Sequence, residues 1–463
     1  MTEQLKLKLN DSKATRWGAL VIVAFTMMAA YYVNDVVAPL KTMLETDLAW
    51  SSTDFGFFTG GYSFLNVFFL MLIWGGLILD RFGIRFTGKL ATILMVGGTA
   101  LEYYAMTGLA GADATLFGIN EIFGYKTGVF VAFAGYSIFG VGAEVAGITV
   151  SKIIAKWFKG KELATAMGVQ VALARIGSQA GYAVAIPLAR AFGISTPVLL
   201  GLVLLLGGMV AFFIFAVMDK KLDRQMEVAA IAAGAEDEEE KFSFKDVKNI
   251  LVNPGFWLIA LLCVLFYSCV FPFQKFASEL MIIKYGINEN VAGTFAGLPA
   301  LGALILTPVF GGFIDKWGKS ASIMLLGSAM LICVHFIYAI PDIDYWLVAI
   351  VLMIILGIAF SLVPSAMWPA VAKIFPVSQL GTAYALIFFI QNIGLWGIPT
   401  LIGWVLDAYC ISGKKPDGTN MYDYMVPMCI FTGIACLSLV VALLLKKADK
   451  KYGYKLEEPN IQK

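Results

Sequence analysis

Two ionisable residues inside apolar stretches are the clearest candidates for chemistry in this sequence. Glu144 precedes a short basic turn at 156–162, and Arg175 follows that turn. If the two stretches form antiparallel helices, each residue lies roughly 22–25 Å from the turn, because an α-helix rises about 1.5 Å per residue. The acid and the base then share one depth. They can hold the two ends of a zwitterion, or they can pair and join two helices.

The stretches that carry this pair belong to a strongly apolar chain. Hydrophobic residues make up 59% of its 463 residues, and charged residues only 14%. This balance excludes an ordinary soluble domain and indicates a polytopic helical membrane protein. A charge near the middle of a bilayer costs about 3 kcal/mol or more, so it usually faces a water-filled cavity or a partner. The depth of Glu144 and Arg175 therefore favours a functional site.

Apolar runs long enough to cross a bilayer predict an all-α membrane protein with twelve transmembrane helices. Their approximate bounds are 17–45, 54–79, 87–108, 127–156, 162–189, 196–218, 254–284, 290–314, 320–340, 344–373, 379–407 and 424–446. Lysine and arginine cluster in alternate loops and near both ends of the chain. The positive-inside rule then predicts that the N- and C-termini lie in the cytoplasm.

The longest polar stretch divides the chain. It predicts a cytoplasmic linker at 219–252, with an acidic run at 236–240, between an N-terminal half at 1–218 and a C-terminal half at 253–463. The halves repeat each other, because the loop at 76–83 (GLILDRFG) matches the one at 311–318 (GGFIDKWG). A second match, between 155–166 and 372–383, follows in the same order. This repeat predicts two parallel six-helix halves, the plan of the major facilitator superfamily.

The matched loops also resemble the signature motif of that superfamily. Glycine permits a sharp turn, and Asp80 can cap a helix or pair with a neighbouring arginine. We expect these loops to latch the halves in one conformational state without contacting cargo. The predicted latch residues are Asp80, Arg81, Gly83, Asp315, Lys316 and Gly318.

Polar side chains within the spans are further candidates for cargo binding. Asp35 lies near the predicted depth of Glu144, and a second acid there favours recognition of an amine. Aromatic residues with polar tips suit amphipathic pockets. The other candidates are Tyr31, Tyr62, Asn66, Tyr267, Trp368, Gln391 and Asn392. Lys275 and Glu279 approach the end of span seven, where snorkelling to the membrane surface is the simpler interpretation.

At finer detail the sequence resembles the lysosomal dipeptide transporter family within the superfamily. The matching segments are 62–66, 142–144, 157–163, 174–178, 270–273, 368–369, 379–384 and 390–392. The resemblance implies transport of short peptides, with Glu144 and Arg175 at the central site. Two features depart from the family: Asn34-Asp35-Val36 replaces the Asp-Asn-Pro that we expect, and the N-terminus has no acidic dileucine signal. The first departure makes the role of Asp35 less secure. The missing sorting signal, and a glycosylation sequon (Asn10-Asp11-Ser12) on the side predicted to be cytoplasmic, favour a homologue of prokaryotic type in the cell membrane.

These observations together predict a secondary transporter that moves dipeptides or similar small zwitterions by alternating access. Arg175 would bind the carboxylate, and Glu144, with Asp35, the amino terminus. Transport of organic anions by Arg175 and Lys275 is an alternative, and a receptor that does not transport is another. We find no H-E-x-x-H, G-x-S-x-G or phosphate-loop motif and no metal spacing among the cysteines, so we expect no enzyme activity and no cofactor.

The expected partners are a small peptide and the lipid bilayer. With a net charge of +2 and no basic patch, nucleic acid is not expected. We expect a monomer. Proton coupling is left open, because burial of Glu144 and the nearby Arg175 have opposite effects on its protonation.

Overall fold

A computed structural model of the chain describes residues 8–111, 114–158, 161–233 and 244–459. Its first half is almost entirely helical, with one short hairpin. The elements are α1 (Lys13–Val36), a 3-10 turn (Ala38–Leu40), α2 (Lys41–Leu48), α3 (Ser52–Phe68), α4 (Met71–Thr107), β1 (Glu121–Ile122), β2 (Tyr125–Lys126), α5 (Thr127–Phe158), α6 (Leu163–Phe192) and α7 (Thr196–Ala233).

The second half is also mostly helical, with one short hairpin. Its elements are α8 (Phe244–Val252), α9 (Pro254–Ile283), α10 (Glu289–Ala296), α11 (Leu298–Trp317), α12 (Ser320–Ala339), α13 (Trp346–Ile374), α14 (Val377–Tyr409), β3 (Ile411–Lys414), β4 (Asn420–Tyr422) and α15 (Met425–Tyr452). Each pair of strands is antiparallel. We call the end of the molecule that carries β1–β4 the hairpin end, and the end near Lys13 and Tyr452 the terminal end.

The helical membrane architecture predicted from the sequence is confirmed. In the described parts of the chain, nine helical segments are long and apolar enough to cross a membrane, and α3 with α4, bent by 58°, form a tenth candidate. The predicted spans two and three meet inside α4, where Gly83 has a φ of 74° and breaks the helix. Polar residues along α6, which contains predicted span five, keep it out of these candidates. The number of twelve crossings stays a prediction.

The predicted linker is partly helical. Span six was expected to end at 218, but α7 continues to Ala233, and α8 follows from Phe244. The acidic run at 236–240 lies outside the described residues. Whether the halves divide as predicted, at 1–218 and 253–463, stays a prediction.

The two halves make close contact at the hairpin end. A Cβ on Gly56 of α3 would lie 2.4 Å from the Pro399 carbonyl oxygen of α14, so only glycine permits this approach. The Asp407 carboxylate of α14 accepts hydrogen bonds from the Ser52 and Thr53 amides, at 3.3 and 2.6 Å, at the start of α3. These contacts fasten the second half to exposed amides of a helix N-terminus in the first half, so the hairpin end is closed.

Ion pairs at the terminal end join residues of the same half. Arg16 of α1 binds Glu162 at 2.7 Å, and Lys156 of α5 binds Asp219 of α7 at 2.7 Å. These pairs stiffen the terminal end of the first half without fastening it to the second. The polar contacts described at the hairpin end therefore join the two halves, whereas these ion pairs join helices within the first half.

Candidate cargo site

Glu144 lies on α5 with its side chain half-buried. Its Oε1 accepts a hydrogen bond of 3.0 Å from the hydroxyl of Tyr62 on α3. The two helices are close at this level because Gly140 packs on the Tyr62 backbone: a Cβ there would lie 2.1 Å from the Tyr62 carbonyl oxygen. The carboxylate thus has a neutral donor that orients it. It keeps further acceptor capacity for a cation.

Arg175 lies on α6, and aromatic rings flank its guanidinium. Its Cζ is 5.6 Å from the centre of the Tyr31 ring in the first half and 5.0 Å from that of Phe360 in the second half. Cation–π contacts stabilise the guanidinium without neutralising its charge. Among the described residues, no carboxylate lies within ion-pair distance of Arg175. An arginine held in this way can bind a carboxylate through two parallel hydrogen bonds.

Several of the predicted residues lie around Tyr31. This side chain interacts electrostatically with Arg175, Glu144 and Asp35. Tyr267 interacts in the same way with Arg175 and Tyr31, and with the side chain of Trp368. The structure therefore brings together Glu144, Arg175, Asp35, Tyr31, Tyr62, Tyr267 and Trp368. Phe360 also belongs to this cluster, but phenylalanine has no polar atom, so the search for polar side chains within the spans missed it.

Asp35 is already bonded to protein groups in this structure. Its Oδ2 accepts a 2.6 Å hydrogen bond from Ser178, and its Oδ1 lies 3.2 Å from Lys275 of α9. Lys275 is only 8% exposed and also donates to the Asn34 carbonyl oxygen at 2.6 Å. The interpretation of Lys275 as a snorkelling residue is therefore wrong, because α9 packs here against the 3-10 turn that follows α1. The role of Asp35 in binding an amine stays a prediction.

A second group of buried charges lies at the hairpin end. The hairpin-end charge cluster consists of Lys41 and Glu45 of α2, Glu279 of α9, and Lys415 in the β3–β4 hairpin. Lys41 lies 2.5 Å from Glu279 and 2.9 Å from Glu45, while Lys415 lies 3.8 Å from each glutamate. The Tyr424 hydroxyl also donates to Glu279. Glu279 is 1% exposed, so snorkelling is wrong for this residue as well.

Three predicted residues form no described hydrogen bond with Glu144 or Arg175. The Gln391 side-chain oxygen accepts from the Cys263 thiol at 3.3 Å, and the Asn392 amide donates to the Phe388 carbonyl oxygen at 2.9 Å. Asn66 is 1% exposed, and within the described residues neither of its polar side-chain atoms has a hydrogen-bond partner. The described hydrogen bonds do not connect these three residues to Glu144 or Arg175. Their role in cargo binding stays a prediction.

The first predicted latch loop uses different partners from those expected. Asp80 pairs with Lys152 of α5 at 3.0 Å, not with an arginine, and both side chains are exposed. Arg81 lies over the ring of Phe82 at 5.5 Å. The arginine that forms ion pairs here is Arg85, which binds Asp223 of α7 at 2.5 Å.

The second predicted latch loop is bound by the C-terminal tail. Gly318 has a φ of 72°, and a Cβ there would lie 2.5 Å from the Glu457 carbonyl oxygen. Lys316 lies over the ring of Trp317 at 4.8 Å, and Asp315 interacts electrostatically with Lys373. Each loop is thus fixed to its own half in this conformation. That the loops act as latches stays a prediction.

Comparisons with known proteins agree with this architecture. The family model described as Major Facilitator Superfamily matches residues 20–399. The human lysosomal dipeptide transporter MFSD1 is 28% identical over 454 residues, which are 95% of this chain and 88% of that protein.

Solved structures share the fold at low sequence identity. The peptide transporter POT in complex with sulfate has a TM-score of 0.66 at 14% identity, covering 95% of this chain and 95% of that one. A mutant of the nucleoside transporter NupG has a TM-score of 0.68 at 12% identity, covering 92% of this chain and 98% of that one. Because these two proteins are named for different cargoes, the fold alone does not identify the cargo.

Proposed function

This chain belongs to the major facilitator superfamily and is a multi-pass membrane transporter, and from that premise we propose that it moves dipeptides or similar small zwitterionic peptides. The observation that carries the proposal is how the charges of Glu144 and Arg175, which we call the central pair, are stabilised. Glu144 and Arg175 lie around the same tyrosine, Tyr31, yet each is stabilised by neutral groups and not by the other. Such a pair offers an acid and a base to the two ends of one cargo molecule.

The carboxylate of the peptide would bind Arg175. A guanidinium presents its N–H groups in a planar fork that matches a carboxylate, and the flanking rings hold the plane of this fork. The positively charged amino terminus would bind Glu144, whose carboxylate is oriented by the Tyr62 hydroxyl. The tyrosine and tryptophan side chains around the pair would contact the peptide group and tolerate varied side chains.

Transport would proceed by alternating access between the two halves. In the present structure the hairpin end is closed by contacts between α3 and α14 and by the hairpin-end charge cluster. Opening this end requires the pairs between α2 and α9 to separate. Arg175 contacts rings of both halves, so a cargo bound there would be sensitive to their relative position.

Transport of organic anions is the rival proposal, and the charges around Lys275 argue against it. That alternative needs Lys275 and Arg175 to act together as a cationic site. Asp35 neutralises Lys275, and Tyr31 interacts with the acid Glu144 as well as with Arg175. A purely anionic cargo would meet at least as much negative as positive charge here.

Ligand-dependent stabilisation of the purified protein tests the proposal. A cargo that binds only the folded protein raises its melting temperature by mass action. Dipeptides should raise it, whereas single amino acids, nucleosides and dicarboxylic acids should do so much less. A shift with dicarboxylic acids and none with dipeptides would replace this proposal with the anion transporter.

We also propose that both termini lie in the cytoplasm and that the protein resides in the cell membrane, from the distribution of basic residues. Single cysteines introduced at Lys221 and at Asp417 would lie on opposite sides of the bilayer. An impermeant thiol reagent added to intact cells should label the cysteine at 417 and leave the one at 221 unmodified. Labelling of both positions from one side would contradict this topology.

A further inference from the structure

A compact set of aromatic side chains from the second half lies beside Arg175. We call Tyr267, Phe271 and Phe360 the aromatic group. Phe360 packs edge-to-face on Phe271 at a centroid distance of 5.3 Å and on Tyr267 at 6.2 Å, while Tyr267 and Phe271 stack at 5.5 Å. These rings form one continuous apolar surface supplied by α9 and α13.

This surface extends directly from the guanidinium. Phe360 is the ring in contact with Arg175, at 5.0 Å, and Tyr267 interacts with the same charge. Phe271 is not among the rings that contact the guanidinium, and it is only partly buried, whereas Tyr267 and Phe360 are 6% and 2% exposed. Phe271 therefore supplies the accessible part of the group. Any carboxylate bound by Arg175 therefore lies next to this aromatic surface.

The surroundings of Glu144 differ. Tyr62 uses its hydroxyl to bind the carboxylate, and the two rings behind it, Tyr136 and Phe139, are 2% and 0% exposed. Tyr136 is also committed by its hydrogen bond to the Asn34 carbonyl oxygen at 2.7 Å. The partly exposed rings on this side, Tyr31 and Tyr62, each carry a hydroxyl. The site is therefore asymmetric, because a partly exposed ring without a polar atom, Phe271, lies on the Arg175 side.

We propose that the aromatic group is the subsite for the side chain of the cargo's carboxyl-terminal residue, and that dipeptides ending in an aromatic or large aliphatic residue are preferred. The inference rests on the proposed function, because it takes Arg175 as the carboxylate ligand. In a dipeptide the last side chain branches from the carbon that bears the carboxylate. Binding the carboxylate to Arg175 therefore brings this side chain to the aromatic group.

Two dipeptides of identical composition test the inference. Gly-Phe and Phe-Gly have the same charges and the same side chain, and differ only in which end carries the ring. Pairing with an aromatic partner contributes enough to change affinity by about tenfold. In calorimetric titrations of the purified full-length protein, Gly-Phe should therefore bind about tenfold more tightly than Phe-Gly, with Gly-Gly as the reference.

Substitutions then locate the origin of the preference. Phe271→Leu removes an accessible ring that does not contact Arg175, and it should reduce the ratio between the two isomers to within about threefold. Phe139→Leu removes a buried ring on the Glu144 side and should leave the ratio near tenfold. Thermal unfolding of both variants confirms that they are folded before titration. A ratio that survives Phe271→Leu would overturn the assignment of the subsite.

The outcomes separate this inference from the function on which it rests. Equal affinities for Gly-Phe and Phe-Gly, or a preference for Phe-Gly, would overturn the inference while dipeptide binding stands. Failure of the folded protein to bind any of the three peptides would overturn the proposed function itself. A preference for Gly-Phe that depends on Phe271 supports both.

Discussion

The central pair and the hairpin-end charge cluster are two ways of placing charge inside one membrane protein. In the cluster Lys41 lies within 3 Å of two carboxylates, and Lys415 lies nearby. At the centre, Arg175 faces aromatic rings and Glu144 faces a tyrosine hydroxyl. The protein thus neutralises the charges that join its halves. We infer that the charges stabilised only by neutral neighbours are those reserved for cargo.

The largest expected effect is a loss of stability on replacement of Lys41. Replacing it by methionine leaves Glu279 and Glu45 buried near each other, and loss of one partner from a buried pair costs about 3–5 kcal/mol. Arg175→Met is the matched change at the centre, and it strands no carboxylate, so it should cost much less. Chemical or thermal unfolding of both variants in the same detergent measures the difference. Equal destabilisation would mean that the two regions are not distinct in the way described.

Arg175→Lys should give the next largest effect, on binding. Lysine keeps the charge but loses the planar fork, and a charged hydrogen bond contributes about 1.5–3 kcal/mol, or roughly 10- to 150-fold in affinity. The affinity for dipeptides with a free carboxylate should therefore fall strongly. The affinity for C-terminally amidated dipeptides, which are already poor ligands, should change little. Equal losses for both kinds of peptide, with a lower melting temperature, would indicate that Arg175 only holds helices together.

The smallest effects on affinity are expected far from both charged regions, at the latch loops. Asp80 is exposed and forms one surface pair with Lys152, and such pairs contribute about 1 kcal/mol or less. Asp80→Asn and Asp315→Asn should change the transport rate in proteoliposomes while affinity stays within about threefold. A large loss of binding with normal rates of conformational exchange would place these residues at the cargo site instead.

The sequence was sufficient for the helical architecture, and it singled out two residues that both interact with Tyr31. Apolar runs and the internal repeat predicted the helical fold, because a bilayer demands long apolar helices. The positions of Glu144 and Arg175 on either side of the basic turn predicted one depth for both, and the two residues lie around Tyr31. The family resemblance pointed to the same pair.

What the sequence could not supply was the pairing between distant helices. Lys275 and Glu279 looked like residues at a membrane surface, since their ion-pair partners, Asp35 and Lys41, lie on the other half of the chain. Their spacing of four residues on one face of α9 was the available signal, because such positions face the same neighbour. Phe360 carries no polar atom, so only its position in the folded protein, 5.0 Å from the guanidinium, reveals that it contacts Arg175.

The most direct test of the central claim compares four forms of one dipeptide on the unmodified protein. Ala-Ala would be measured free, C-terminally amidated, N-terminally acetylated, and blocked at both ends. If Arg175 and Glu144 read opposite ends of the cargo, each block should lower affinity at least about tenfold, and both together should abolish measurable binding. Glu144→Gln should remove the penalty for acetylation and leave the penalty for amidation. Equal affinity for all four forms would contradict the claim that the unpaired charges bind the cargo.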